Sequence, residues 1–205
     1  MTTSSRIGGL LIALTVVFAS AGAAVPAPAP TASMIVGSIT SQPIGHYEFC
    51  QQYADECNVR TKVGAAPRLT AAGWSAVEAI NIIVNTTITP MTDMEVYGRE
   101  EVWAYPVDAG DCEDFALLKR RQLLERGFSP ADVLITVVRK PDGEGHAVLT
   151  VRTMDGDFIL DNLDDRVRLW SETPYRFMKR QAEYNTGRWV KIENAQDVLV
   201  GAVEK

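Results

Sequence analysis

Histidine is almost missing from this 205-residue sequence, which contains only His46 and His146. Cysteine is scarce too, at three, and the count is odd. With no second Cys or His pair beside Cys50 and Cys57, a zinc-type centre is disfavoured. A basic surplus is also lacking. Twenty Lys and Arg stand against 26 Asp and Glu, a formal net charge of −6. A nucleic-acid-binding domain is normally basic, so that class of partner is excluded. The local clusters Lys119-Arg120-Arg121 and Lys179-Arg180 read as solvated faces. No apolar run reaches the ~20 residues needed to cross a bilayer comfortably. There is no internal repeat, and no low-complexity tract beyond a short Pro/Ala stretch.

The longest apolar run, Gly8 to Ser20, follows Arg6 and precedes the small residues Ala21 to Ala24. That order predicts a cleaved secretory signal over residues 1–24, with an uncleaved anchor as the alternative. Either way the body of the chain is exported, to the periplasm or beyond. Alternating Pro and Ala from Pro26 to Pro30 predict a flexible extended arm over residues 25–40. Residues 41–205 have the length of one ordinary domain.

An odd cysteine in an exported chain asks for an explanation. Cys50 and Cys57 are close enough in sequence to form a local disulfide in an oxidising compartment. Two separate buried thiols are the alternative. Cys112 is then the odd thiol, and its setting, Gly110-Asp111-Cys112-Glu113-Asp114, is polar and acidic rather than apolar. The stretch Cys112 to Arg126 reads as a helix stopped by Gly127, with Asp111 as N-cap and Asp114 at the capping-box position. Cys112 is therefore expected at a helix start, where backbone N–H groups favour a thiolate and the adjacent acids oppose it.

Three strand-like segments follow: Val133 to Arg139, His146 to Thr153 and Asp157 to Leu163. If a four-residue loop, Thr153 to Gly156, joins the last two, His146 and Asp161 share a face and lie diagonally opposite. Cysteine at a helix start, with histidine and aspartate on one face of a hairpin, form the parts of a nucleophilic system. Cys112 attacks, His146 moves the proton and Asp161 orients the imidazole. The Cys112 N–H is one candidate oxyanion donor, and Trp103 and Asn85 are candidates for the second. Trp74 to Asn85 reads as a core helix, and Arg188 to Ile192 as a last strand.

These residues and their surroundings resemble the bacterial transglutaminase-like cysteine proteinases, an exported branch of the papain-like/transglutaminase superfamily. The matching stretches are Ile88 to Gly98, Gly110 to Arg121, Gly145 to Val151, Asp157 to Asn162 and Lys179 to Gln181, with Phe49 to Arg60 as the N-terminal feature. The resemblance covers roughly residues 45–192. It implies a Cys112–His146–Asp161 triad on an α+β core, the nucleophile helix packed on an antiparallel sheet. It implies peptide-bond hydrolysis in a cell-envelope protein, such as a large surface adhesin whose trimming releases biofilm cells, and an inner-membrane regulatory receptor as a partner. It also implies calcium beside the nucleophile, at Asp111 and Glu113. The alternative for those two acids is a helix cap and a solvated first turn. Two other functions use the same parts: transamidation, with a lysine amine replacing water, and a noncatalytic periplasmic binding module.

Overall fold

The computed structural model describes residues 32–193, together with Met1. The expected signal segment lies outside the described residues, as does most of the expected arm. The end of that arm is a correction. Ile35–Thr40 form a strand, β1, paired antiparallel with the last strand. Ile35, Val36 and Ile39 are β-branched, and the open edge of that last strand offers them backbone partners.

Helices α1 (Ile44–Gln52) and α2 (Ala54–Cys57) come next, followed by α3 (Ala71–Thr87). Thr70 caps α3 by accepting from the Gly73 N–H at 3.1 Å. A two-residue strand β2 (Thr89–Pro90) leads into α4 (Asp93–Tyr97), which Thr92 and Glu95 close with a reciprocal capping box. Strand β3 (Ala109–Gly110) pairs parallel with β2 and delivers the chain into α5 (Cys112–Glu125). Gly127, at φ 86°, ends that helix in the left-handed region that suits glycine.

The remaining strands are β4 (Val133–Arg139), β5 (Gly145–Thr153), β6 (Gly156–Asp161), β7 (Asp164–Leu169), β8 (Arg176–Ala182) and β9 (Asn185–Glu193). With β1 they form a seven-stranded antiparallel sheet in the order β1-β9-β8-β4-β5-β6-β7. Helix α5 packs on β4, β5 and β6, and α3 packs on α5 and β7. One core lies between helices and sheet, from Val77, Ile80, Phe115, Leu117 and Leu123 to Ile135, Leu149 and Leu160. A second lies on the other face, where Met34 and Trp170 cover Val138, Val148, Ile159 and Phe177. Cover on both faces explains why β4 and β5 read as nearly continuous apolar runs rather than alternating ones.

The fold is α+β, with the helix that carries Cys112 on an antiparallel sheet. Two local expectations change. The basic clusters are only partly solvated: Arg121 is exposed and Lys179 half-buried, but Lys119, Arg120 and Arg180 are buried. Helix α5 is enclosed by α3 and the sheet, and Arg180 lies on a strand, where it meets Asp157 at 3.3 Å and Glu183 at 2.7 Å. The β5–β6 turn is shorter than expected, because Thr153 pairs with Gly156 and leaves Met154 and Asp155 as the turn. The register is the one expected, with Arg152 opposite Asp157.

Candidate active site

Cys112 opens α5 because Gly110 and Asp111 stop β3 just before it. Gly110 is fixed by β2, whose following residue Met91 donates its N–H to the Gly110 carbonyl at 2.9 Å. A Cβ on Gly110 would lie 2.5 Å from Asp114 Oδ2, so the glycine lets the helix start close against β3. Cys112 is the only free cysteine, since Cys50 and Cys57 form a disulfide.

The β5–β6 register sets His146 and Asp161 on one face, offset by a single diagonal step, and the side chains meet. His146 Nε2 lies 2.9 Å from Asp161 Oδ1. Both residues are buried. Asp161 Oδ1 also accepts the Leu163 N–H at 3.0 Å, and Asp161 Oδ2 accepts the Tyr175 hydroxyl at 2.5 Å. Burial works to raise the Asp161 carboxyl, but the bonds from His146, Tyr175 and Leu163 outweigh it and hold the group below its ordinary range. With Nε2 committed to Asp161, Nδ1 is the ring nitrogen left for the thiol. The N–H of the next residue, Ala147, donates to Cys112 Sγ at 3.4 Å, which ties the start of β5 to the nucleophile.

Cys112, His146 and Ala147 open on a cleft of about 750 Å³, walled by Ile44, Met94, Glu101 and Trp103 among others. Trp103 packs edge-on against His46 and Trp189 and is buried, so it forms a wall. Asn85 is not at the thiol. Its amide donates to the Asp161 carbonyl at 2.9 Å and to Asp165 Oδ1 at 2.8 Å. Helix α3 passes behind β6, which puts Asn85 behind the dyad and removes it as an oxyanion donor.

Acids crowd the start of α5. Asp111 occupies the N-cap position, but its side chain makes no capping bond. Asp114 does not close a capping box either, because its Oδ1 accepts the Ala104 N–H at 2.8 Å. Asp93, at the start of α4, points into the same place and accepts the Val102 N–H at 2.5 Å. Carboxylate oxygens of Asp93, Asp111 and Asp114 all lie within 4.8 Å of one another, and a second group joins Asp111, Cys112 and Glu113. Three buried oxygens, Asp93 Oδ1, Asp111 Oδ1 and Asp114 Oδ2, have no hydrogen-bond partner.

Glu113 is not in a solvated first turn. It is buried, and Cys112 Sγ donates to its Oε2 at 3.0 Å. Burial and the nearby Asp111 push the Glu113 carboxyl up to about 9, and burial raises Asp114 to about 7. Burial, then the Glu113 charge, push the Cys112 thiol well above its ordinary value, against the Ala147 N–H that lowers it.

Sequence reasoning missed Asp93, Asp114 as a member of the acid cluster, and Tyr175. The capping box Thr92-x-x-Glu95 marked the helix that carries Asp93, but nothing in the sequence joined that helix to α5. Tyr175 lies between β7 and β8, two strands not read from the sequence.

A thiol at the start of α5 opens on the same cleft as a hydrogen-bonded imidazole–carboxylate pair on an antiparallel sheet, an arrangement suited to the transglutaminase-like class of cysteine peptidases. The chain belongs to the family described as bacterial transglutaminase-like cysteine proteinase BTLCP, whose model matches residues 36–197. It is a cysteine proteinase of that family. Among solved structures it is similar to LapG of Legionella pneumophila, at 25% identity and a TM-score of 0.49, over 57% of this chain and 68% of that one. It is also similar to calcium-bound LapG of the same organism, at 23% identity and a TM-score of 0.49, over 64% of this chain and 80% of that one. EGTA-treated LapG matches at 23% identity and a TM-score of 0.49, over 61% and 73%. No curated protein matches the chain.

Proposed function

We propose that the protein is an exported thiol endopeptidase that cuts a cell-envelope or surface protein through Cys112, His146 and Asp161. The observation that carries this reading is the His146–Asp161 pair at 2.9 Å, opening on the same cleft as the only free thiol. His146 Nδ1 takes the Cys112 proton, and Sγ bonds to the scissile carbonyl carbon. The Cys112 N–H, at the first turn of α5, faces the developing oxyanion. His146 returns the proton to the leaving amine, which departs and leaves a thioester. Water, deprotonated by His146, then attacks the thioester, and the thiol is restored. Asp161 fixes the imidazole tautomer throughout, itself fixed by Tyr175 and Leu163.

The acid cluster fits a calcium ion. Its donors are hard carboxylate oxygens, three of them buried without partners. Asp93, Asp111 and Asp114 would hold the ion, with Glu113 beside them. Bound calcium would offset the charge of these acids, and so act against one of the causes, after burial, that keep the Cys112 proton in place.

The family resemblance supports a large adhesin as the substrate, biofilm release as the outcome and an inner-membrane receptor as the regulator. The segment from Arg6 to Ala24 supports export to the periplasm or beyond. Terminal profiling of the cell envelope, wild type against Cys112→Ala, tests the whole reading. New protein termini present only in the wild type support hydrolysis. Isopeptide cross-links in place of new termini would overturn it in favour of transamidation, and no difference between the strains would remove both.

A further inference from the structure

Among the described arginines, Arg60 and Arg188 are set apart. Every other one pairs with a carboxylate, donates a hydrogen bond or has another partner. The guanidinium groups of these two have none among the described residues. Both side chains are exposed, and both line one cavity of about 420 Å³ beside the Cys50–Cys57 disulfide. A second cavity of about 490 Å³ adjoins it, and the two share Gln42, Tyr47, Gly187 and Arg188. No described Asp or Glu lines either cavity, in a chain of net charge −6. The acids of α1 and α2 are engaged elsewhere or stand outside. Glu48 meets Arg99 at 3.5 Å, Glu56 accepts the Tyr105 hydroxyl, and Asp55 lines neither cavity.

The segments that carry the two arginines are tied to each other. Gly187 lets β9 pass close to the end of α2, since a Cβ there would lie 2.4 Å from the Cys57 carbonyl oxygen. The Thr186 hydroxyl donates to the Glu56 carbonyl at 2.6 Å and accepts the Val59 N–H at 3.2 Å. The backbone of Arg60 bridges that of Asn185. The groove is therefore built before any ligand enters, which lowers the cost of binding. A guanidinium is a rigid fork of donors that matches a carboxylate, so two free forks on an acid-free groove suit an anionic peptide.

The groove leads to the thiol. Ile44 walls both the second cavity and the cleft of Cys112. Lys179, in the cleft wall, donates from Nζ to the Ser41 carbonyl at 2.9 Å, and Ser41 lines the groove. Elsewhere the cleft wall carries Glu100 and Glu101, which repel an anionic segment. Charge thus leaves an acidic chain one side by which to approach Cys112. We infer that the groove of Arg60 and Arg188 holds an acidic stretch of the substrate polypeptide while the bond to be cut lies at Cys112. The substrate class is then a chain with Asp or Glu clustered to one side of the scissile bond. The inference rests on the reading of Cys112, His146 and Asp161 as the reacting group.

The test titrates fluorescein-labelled hexaglutamate with the full chain and reads anisotropy, with chelator present so that no calcium bridges the two. Arg60→Gln combined with Arg188→Gln should weaken binding tenfold or more. Arg166→Gln combined with Arg168→Gln removes the same charge from β7, at the far edge of the sheet, and should change it less than about twofold. Six extended residues reach about 20 Å. A bromoacetyl group on one end or the other of the same peptide should therefore alkylate Cys112 about tenfold faster than bromoacetamide does, and the groove variant should abolish that advantage. No binding, or binding that the groove variant leaves unchanged, overturns the proposal. Binding without faster alkylation from either end also overturns it, because the groove then does not lead to the thiol. Bromoacetamide labelling that is indifferent to His146→Ala would sink the reading of Cys112 instead, and anisotropy still decides the groove.

Discussion

The Cys112 thiol donates a hydrogen bond to Glu113 Oε2 across 3.0 Å, so its proton points at the residue beside it in sequence. Burial, then the Glu113 charge, disfavour the thiolate, and burial, then Asp111, disfavour the Glu113 carboxylate. In this arrangement the thiol is held protonated. Chelated protein should therefore be alkylated slowly by iodoacetamide at neutral pH. Added calcium chloride should raise the rate about tenfold, since each pH unit off the thiol pKa is tenfold in thiolate. Glu113→Gln should weaken that dependence. Equal rates with and without calcium in the wild type would rule out a cation as the release.

Tyr175 contributes one of the three donors that hold the Asp161 carboxylate. Tyr175→Phe removes that donor and leaves the ring, 5.5 Å from the His146 ring. A hydrogen bond to a charged group is worth ~1.5–3 kcal/mol, so turnover of the identified substrate should fall about tenfold or more. An unchanged rate would mean that His146 and Leu163 suffice to orient Asp161.

His46 gives a pH test of stability. Its ring is buried among Phe49, Trp103 and Trp189, and Trp189 Nε1 donates to its Nδ1 at 3.3 Å. The folded ring stays neutral down to about pH 3, whereas an unfolded one protonates near 6.5. Between those values the unfolded state binds the extra proton, so falling pH destabilises the fold. The buried acids Glu113 and Asp114 act in the opposite sense, which makes a difference measurement necessary. The stability advantage of wild type over His46→Gln, both chelated, should shrink by about 1.4 kcal/mol per pH unit between pH ~6 and ~4. Denaturant unfolding at several pH values reads it, and a constant difference would contradict the buried neutral ring.

Gly45 allows the close approach of α1 to the cleft wall. A Cβ there would lie 2.2 Å from Trp103 Cδ1. Gly45→Ala should therefore displace Trp103 and cost ~1–3 kcal/mol of stability, read by thermal or denaturant unfolding. A variant as stable as the wild type would show that the indole has room to move.

The helix start at Cys112 and the meeting of His146 with Asp161 were legible because each is fixed by local rules: an N-terminal turn, a stop glycine and the parity of one hairpin. The shorter turn at Met154 and Asp155 left that parity intact. The acid cluster was only half legible. Asp111 and Glu113 adjoin the thiol in sequence, but Asp93 reaches it through the packing of α4 against β3, which no periodicity records. Asp114 was assigned to a cap because its spacing fits one, yet the Ala104 N–H claims its oxygen. Strands β7 and β8 were missed for a different reason. Charged residues such as Asp164, Asp165, Arg166 and Arg168 interrupt β7, and Lys179 and Arg180 interrupt β8, where a strand signal needs β-branched and aromatic residues. Arg180 enters the interior only because Asp157 and Glu183 meet it there.

Strand β1 is the first described strand of the domain and β9 the last, and they lie side by side. The sheet cannot be completed before Asn185–Glu193 have been made. Until Asn185–Glu193 are available, Ile35, Val36 and Ile39 have no ladder to join. Long-range pairing of this kind is slow to form and leaves strand edges open to other chains in the meantime. Folding of this proteinase therefore waits on β9, and a truncation that removes β9 should yield an aggregating chain rather than a smaller enzyme.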